Sequence, residues 1–324
     1  MKILITGSCG YIGDYMCDLL TNEGYDITGY DNLLYENHFL KDMKFINGDI
    51  RDREKLLKIL PNYDVVIWLA GLVGDPCCAA FPDKTCDINL KAVEWFVDNY
   101  DGKIIFPSSC SVYGKNDALL DETSPTAPLS IYAATKLAAE EYILKRRQDA
   151  LIWRLGTLFG QSGQHSRIRL DLVANILTLK AAQGEPLTVF SGSQNRPMLC
   201  VKDVAHATLF ALRNNISGLF NLTYKNYCLK DMAEEIASHF PNSKVSFSDL
   251  PFQDQRNYKV SGEKFYKYGW RPRFTLADGI EEIKALVTNG RIKDPSNPIY
   301  SNGSFIKEVD PKFMRSYGNI YNRL

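Results

Sequence analysis

Short runs of apolar residues alternate with amphipathic stretches through the first half of the chain. Strands are expected at 2–6, 26–30, 44–46, 65–70, 103–107 and 150–154, and several of these are apolar at consecutive positions. That pattern predicts parallel strands covered on both faces. Between them, Ile12, Tyr15, Met16, Leu19 and Leu20 recur at helical spacing, and so do Leu56, Leu57 and Leu60. Strand and helix in alternation predict an α/β fold built on a doubly wound parallel sheet. The second half is less regular. Helices are expected over 171–183, 202–214, 229–240 and 275–289, with polar connections containing Gly and Pro between them. The last 30 residues are rich in Asn, Ser and Tyr with little periodicity, and are expected to be irregular and packed on a neighbour.

Composition narrows the classes of function. A chain of 324 residues can bury a sizeable core as one large or two unequal domains. Its 38 basic and 38 acidic residues cancel, so it lacks the basic excess of a protein that grips nucleic-acid phosphates. The longest apolar stretch, residues 65–74, is too short to span a bilayer. Met1-Lys2 leads straight into a strand-like run, leaving no room for a signal peptide, and a cytoplasmic protein is expected. The eight cysteines include no CxxC pair and no adjacent His, so free, packed thiols are expected and no metal.

Two clusters carry the chemistry. Gly7, Gly10 and Gly13 directly follow the first strand, where glycines let the backbone turn tightly and approach a pyrophosphate at a helix N-terminus. The second strand ends in Asp31-Asn32, and an acid at that distance accepts hydrogen bonds from the adenosine ribose and repels a 2′-phosphate. NAD is therefore expected over NADP. After the third strand, Asp49 and Ile50 can hold the edge and face of the adenine.

Tyr132 and Lys136 lie one helical turn apart and share a face. To act as a base near pH 7, the phenol's pKa of about 10 has to fall by roughly 3, worth about 4 kcal/mol. A neighbouring ammonium and a positive nicotinamide ring can supply that by favouring the phenolate. Lys136 can also bond the nicotinamide ribose. A hydroxyl from the fifth strand's end, Ser108-Ser109, can orient a substrate alcohol and relay its proton.

With these residues in place, the chain resembles the extended short-chain dehydrogenases/reductases, specifically the NAD-dependent sugar epimerase/dehydratase family. The motifs are the ITGSCGYIG loop, Asp31-Asn32-Leu33, the run from Gly48 to Asp52, Ala70-Gly71 and Asn89. Ser108 to Gly114, Tyr132-x3-Lys136, Arg196-Pro197 with Val201-x-Asp203, and Gly269-Trp270-x-Pro272 follow in family order. The match covers about residues 1–285. It implies a Rossmann cofactor domain over 1–160, joined by about 198–214, and a smaller mixed α/β substrate domain mainly over 161–324. Cofactor contacts are expected from Gly7, Gly10, Tyr11, Ile12 and Gly13, from Asp31, Asn32, Asp49 and Ile50, and from Leu69, Ala70, Gly71, Ser108, Tyr132 and Lys136. Tyr132, Lys136 and Ser109 would carry C4 oxidation or reduction of a nucleotide-diphosphate sugar. Arg196 and Arg256 match positions that usually hold the diphosphate. Arg167, Arg169 and Asn175 match the stretch that wraps the nucleotide, and Ser111 and Thr157 would face the sugar. A homodimer through the Tyr132 helix and its predecessor is also implied.

The same resemblance separates the reactions. Family dehydratases carry Asp-Glu where this chain has Cys110-Ser111, and the decarboxylases carry Glu at the second of these positions. Dehydration and decarboxylation are therefore not expected, and Cys110 reads as a packed thiol. A C4 redox reaction remains, with 4-epimerase ahead of a C4 dehydrogenase or 4-ketoreductase, and an NAD-binding regulator as the non-catalytic alternative. Leu155-Gly156-Thr157 and the run from Leu72 to Pro76 depart from common epimerases, so a reshaped sugar pocket is expected.

Overall fold

The computed structural model describes residues 1–36, 39–190, 192–248 and 256–315. Seven strands form the main sheet: β1 (Lys2–Thr6), β2 (Asp26–Asp31), β3 (Lys44–Asn47), β4 (Val65–Trp68), β5 (Lys103–Ser109), β6 (Leu151–Leu155) and β7 (Gly218–Leu222). Their order is β7-β6-β5-β4-β1-β2-β3, and every neighbouring pair is parallel. The chain runs outward from β1 to β3, then crosses back to lay β4 on β1's other side. This reversal opens a crevice beyond the carboxyl ends of β1 and β4, where ligands of open α/β sheets bind.

The consecutive apolar runs are explained by where alternate side chains go. Leu4, Val66, Trp68, Ile104, Phe106 and Ile152 join one core with Phe96, Ala139 and Ile143. Their strand neighbours Ile3, Ile5, Val65, Ile67, Ile105 and Trp153 join a second core with Met16, Leu20, Val204 and Ala207. Successive strand residues face opposite ways, so both faces must be apolar. Each such aliphatic or aromatic side chain taken fully out of water contributes roughly 1.5–3 kcal/mol. Helices Gly13–Asn22 and Val201–Arg213 cover one face, and Ala92–Asp98 and Ile131–Arg146 the other.

The expected strands are all present, with shifts that matter at their ends. β2 and β5 run on to Asp31 and Ser109, delivering both residues to the crevice on fixed backbone. β4 stops at Trp68, so Leu69 and Ala70 belong to the loop that lines it. β7 was not foreseen, since its short run opens on Gly218 and carries a buried Asn221.

A three-stranded sheet lies beyond the main one, with Asn195–Cys200 between Lys225–Cys228 (antiparallel) and Thr157–Phe159 (parallel). Helices Val173–Ala182, Leu229–Ser238 and Leu276–Thr288 occur within one to two residues of their expected starts and ends. They pack Leu177, Met232, Ile236 and Ile280 around Phe159 and Met198.

The expectation of an irregular C-terminal stretch is corrected: Asn302–Arg315 is a helix. Gly303 and Pro311 lower its intrinsic propensity and hid it from the pattern. Tertiary packing supplies what propensity lacks, because Ile306 is fully buried in the same core as Cys77 and Cys78. Residues 316–324 lie outside the described residues.

Candidate active site

The crevice opens into a cavity of about 1420 Å³. A single small-molecule site usually occupies about 300–1,000 Å³, so this one has room for two ligands in contact.

At one end stands the glycine loop. Gly7 has φ +71°, and a Cβ there would lie 2.8 Å from the Ala70 nitrogen. At Gly13 a Cβ would meet the Gly7 carbonyl oxygen at 2.2 Å. Only glycine permits this packing of loop against sheet and helix. The loop ends at the N-terminus of the Gly13–Asn22 helix, where unbonded amides favour an anion. Asp31 accepts from the Cys9 amide at 3.0 Å and the Leu33 amide at 2.8 Å, which aims its carboxylate along the loop. Burial pushes the Asp31 carboxyl above its usual range, against the pull of those amides.

Asp49 is braced by Arg51, with Nε to Oδ1 at 2.8 Å and Nη2 to Oδ2 at 3.1 Å, and by Asn32 Nδ2 at 3.1 Å. Burial would raise its pKa, but the Arg51 bonds and charge outweigh that and hold it below the ordinary carboxylate value. Tyr11, Ile12, Asn32, Ile50, Leu69, Ala70 and Gly71 line this same end.

In the middle of the cavity are the hydroxyls and the amine. Ser130 caps the Ile131–Arg146 helix by accepting from the Ala133 amide at 3.2 Å, which fixes the turn carrying Tyr132. Lys136 is buried, donates to the Pro107 carbonyl at 2.9 Å and lies 4.6 Å from the centre of the Phe106 ring. Burial pulls its pKa down to about 8. Tyr132 is pushed above the usual phenol value, first by burial, then by the nearby Cys78 and Asp75, against the pull of the Ser109 hydroxyl and Arg169. The protein's own groups thus raise the phenol's pKa rather than lower it, and Lys136 is turned to Pro107 rather than to Tyr132.

Ser109 lines the cavity and accepts from the Ser111 amide at 3.1 Å and the Ser111 hydroxyl at 2.9 Å. Ser108 also lines it, and its buried hydroxyl has no hydrogen-bond partner among the described residues. A π-helical turn at Asp87–Lys91 carries Asn89, whose amide grips both the N–H and the C=O of Leu72 at 2.8 Å. That clamp sets the wall from Gly71 to Gly74.

At the other end, Arg196 on the Asn195–Cys200 strand donates to the Asn195 carbonyl at 3.0 Å, to Gln194 Oε1 at 3.1 Å and to the Arg256 carbonyl at 2.5 Å. Arg256 pairs with Asp75 at 2.7 Å, and Thr157 lies on the same wall. Both arginines line the cavity, and guanidinium groups suit a diphosphate.

Two expected contacts lie elsewhere. Asn175 is buried off the cavity, its amide spent on the Gly160 N–H and the carbonyls of Gly160 and Arg169. Ser111 is buried, is not among the residues that line the cavity, and donates its hydroxyl to Ser109. Arg167 and Arg169 do line the cavity, but beside Tyr35 and Tyr11 respectively. Cys110 is buried, with its thiol against the Arg154 carbonyl at 3.2 Å.

Sequence reasoning placed Asp75 only within the reshaped run from Leu72 to Pro76, and it missed Ser130, Tyr258 and the C-terminal residues Ser301, Asn302 and Lys307, all on the cavity wall. Ser130 was legible as a cap before a helix. For the C-terminal group no local signal existed.

The residues fit a dinucleotide on observations of this chain alone: a glycine cradle that a Cβ would fill, a helix N-terminus behind it, and an unpartnered buried hydroxyl at Ser108. Among the described residues, no group of three or more His, Cys, Asp and Glu could hold a metal ion, and no helix is long and apolar enough to cross a membrane.

The pattern defining the NAD dependent epimerase/dehydratase family matches residues 3–223. A Methanocaldococcus jannaschii protein, named provisionally as a UDP-glucose 4-epimerase, is 28% identical over 304 residues, covering 89% of this chain and 98% of its own. The UDP-glucose 4-epimerase of Corynebacterium glutamicum is 24% identical over 306 residues, covering 85% and 92%. Among solved structures, the UDP-glucuronic acid 4-epimerase of Bacillus cereus, determined with UDP-glucuronic acid and NAD, superposes with a TM-score of 0.73 at 26% identity, over 89% of this chain and 99% of that one.

Proposed function

The chain belongs to the NAD dependent epimerase/dehydratase family, and on that premise we propose that it is a nucleotide-diphosphate-sugar 4-epimerase. The observation that carries this reading is that Ser109, Tyr132 and Lys136 line one cavity together with the glycine loop, Arg196 and Arg256. NAD, the family's cofactor, supplies the hydride acceptor and donor when bound.

In this reading Gly7, Gly10 and Gly13 would hold the dinucleotide's pyrophosphate, Asp31 and Asn32 its adenosine ribose, and Asp49 and Ile50 its adenine. The Ser108 hydroxyl and residues 69–71 would hold the nicotinamide end, and Lys136 would exchange the Pro107 carbonyl for the nicotinamide ribose. Tyr132 takes the proton of the sugar's C4 hydroxyl and returns it, while Ser109, held by Ser111, keeps that oxygen in line. Arg196 and Arg256 hold the diphosphate, so the sugar can turn over while remaining tethered. The relatives' names support uridine diphosphate as the nucleotide. Residues beyond 160 supply most of the sugar's surroundings, apart from those that return to the main sheet. A homodimer along the Ile131–Arg146 helix and the helix before it belongs to the same reading.

The discriminating experiment is mass spectrometry and proton NMR of products from UDP-glucose, UDP-glucuronic acid and their C4 epimers. An isobaric C4 epimer formed without added NADH is the expected result. A product two daltons lighter or heavier, with matching change near 340 nm, would replace the epimerase by a net C4 dehydrogenase or ketoreductase. With the right sugar, Tyr132→Phe should cut turnover by about 10²–10⁴-fold. Full activity in that variant would remove Tyr132 from the reaction.

A further inference from the structure

Arg167 is 7% exposed, yet its Nη2 has no hydrogen-bond partner among the described residues. Its other donors are spent on the C-terminal segment: Nε on the Ile299 carbonyl at 2.5 Å, Nη1 on Asn302 Oδ1. Its guanidinium plane stands 3.9 Å from the centre of the Tyr35 ring, with Phe305 on its flank at 5.8 Å. A buried charged donor with nothing to bond is costly, and native folds rarely keep one without a partner that arrives later.

The surroundings say what that partner is. Tyr35 follows Asp31 on the loop after β2, and Arg169, two residues on from Arg167, lies 5.7 Å from the ring of Tyr11 in the glycine loop. Both arginines line the same cavity as the glycine loop and stand against side chains from it and from the loop after β2. Arg169 is already paired with Asp171 through two bonds of 2.9 and 3.0 Å. Glu36 is near enough for the Arg167 charge to act on it, but it is not bonded to Nη2. The strap that holds Arg167 is itself fixed at both ends of Asn302, whose amide N–H donates to Asp171 Oδ2 at 2.9 Å and whose Nδ2 donates to the Val73 carbonyl at 3.0 Å.

We propose that Arg167, held by Ile299 and Asn302, binds a phosphate of the cofactor's pyrophosphate, making the segment around Asn302 a strap that retains the dinucleotide. This moves Arg167 from the substrate's nucleotide, where sequence resemblance placed it, to the cofactor. It rests on the dinucleotide lying along the glycine loop and is independent of which sugar reacts.

The test is calorimetry on the full chain stripped of cofactor, with NAD, ADP-ribose and UDP as separate titrants. Arg167→Met should weaken NAD and ADP-ribose alike by about tenfold or more, the usual loss for a charge-assisted bond, and leave UDP within twofold. Asn302→Ala, which keeps the charge but frees the arginine, should weaken NAD severalfold. Unchanged NAD affinity in both variants would overturn the proposal, as would a loss for UDP instead of NAD. Wild-type protein that binds no NAD would overturn the cofactor assignment itself, which separates the two failures. If Arg167→Met does not fold, Asn302→Ala and Arg167→Lys decide by the same criterion.

Discussion

Asp75 holds Arg256 by an ion pair of 2.7 Å, and its second oxygen accepts from Ser130 at 2.5 Å, so one carboxylate ties the arginine end of the cavity to the cap of the Tyr132 helix. If Arg256 holds the diphosphate as proposed, that ligand must compete with Asp75 for the same guanidinium. Asp75→Asn is therefore expected to tighten UDP binding severalfold, read by calorimetry. Behind burial and Cys78, Asp75 also helps to raise the Tyr132 pKa, so the same change should move the acidic limb of the kcat/KM profile to lower pH. Unaltered UDP affinity would mean that the pair opens at no cost.

Lys136 gives a pH signature in the cofactor-free protein. Its folded pKa, about 8, lies below the 10.5 of an exposed lysine because the ammonium is buried. For a base depressed in this way the unfolded chain binds more protons between those values, so stability rises with pH across that window. The burial cost is fully present below pH 8 and fades toward pH 10.5. Lys136→Met is expected to be more stable than wild type at pH 7, by up to about 3 kcal/mol, with the gap closing above pH 8. Urea melts at pH 7, 8.5 and 10 measure it; a gap that widens with pH would contradict it.

Asp31 is the residue proposed to set cofactor choice. Its oxygens accept from the Cys9 and Leu33 amides at the end of β2. Asp31→Ser should weaken NAD by about tenfold and narrow the preference over NADP, since the repulsion of a 2′-phosphate disappears. Paired dissociation constants for the two dinucleotides check this. An unchanged ratio would place the ribose elsewhere.

Behind the catalytic turn, Glu140 and Arg154 form a buried ion pair, 1% and 4% exposed, through several bonds. Arg154 Nη1 also donates to the Tyr113 hydroxyl at 2.9 Å. Glu140→Leu would strand the guanidinium, at a cost of about 3–5 kcal/mol. A fall in the urea midpoint without a change in m is the expected reading.

Much of the fold was legible because its signals are local. Consecutive apolar strands, the glycines at 7, 10 and 13, and an acid at the end of β2 each report on their own neighbourhood, and the structure puts them where they were expected. Ser109, Tyr132 and Lys136 were legible for the same reason: one ends a strand, and the others share a helix face. What escaped the sequence depends on distant partners. Asp75 acquires its meaning only from Arg256, far along the chain. Asn302 acts through Arg167 and Val73, and its helix forms against its local propensity. Asn175 and Ser111 show the reverse error, polar residues in the right stretch whose bonds are consumed by the scaffold.

β7 carries a consequence for how the molecule comes apart. It completes the main sheet against β6, pairing Leu219 with Ile152 and Phe220 with Trp153, yet everything from Gly156 to Ser217 intervenes. The cofactor half therefore cannot be cut away as a prefix of the chain, since its edge and part of its aromatic core are delivered by sequence that comes after the arginine strand. Heat or denaturant should meet one cooperative unit, with fluorescence of the buried Trp153 and loss of helix following a single curve. A protease that opens the Arg196 region would find the Rossmann sheet unravelling with it.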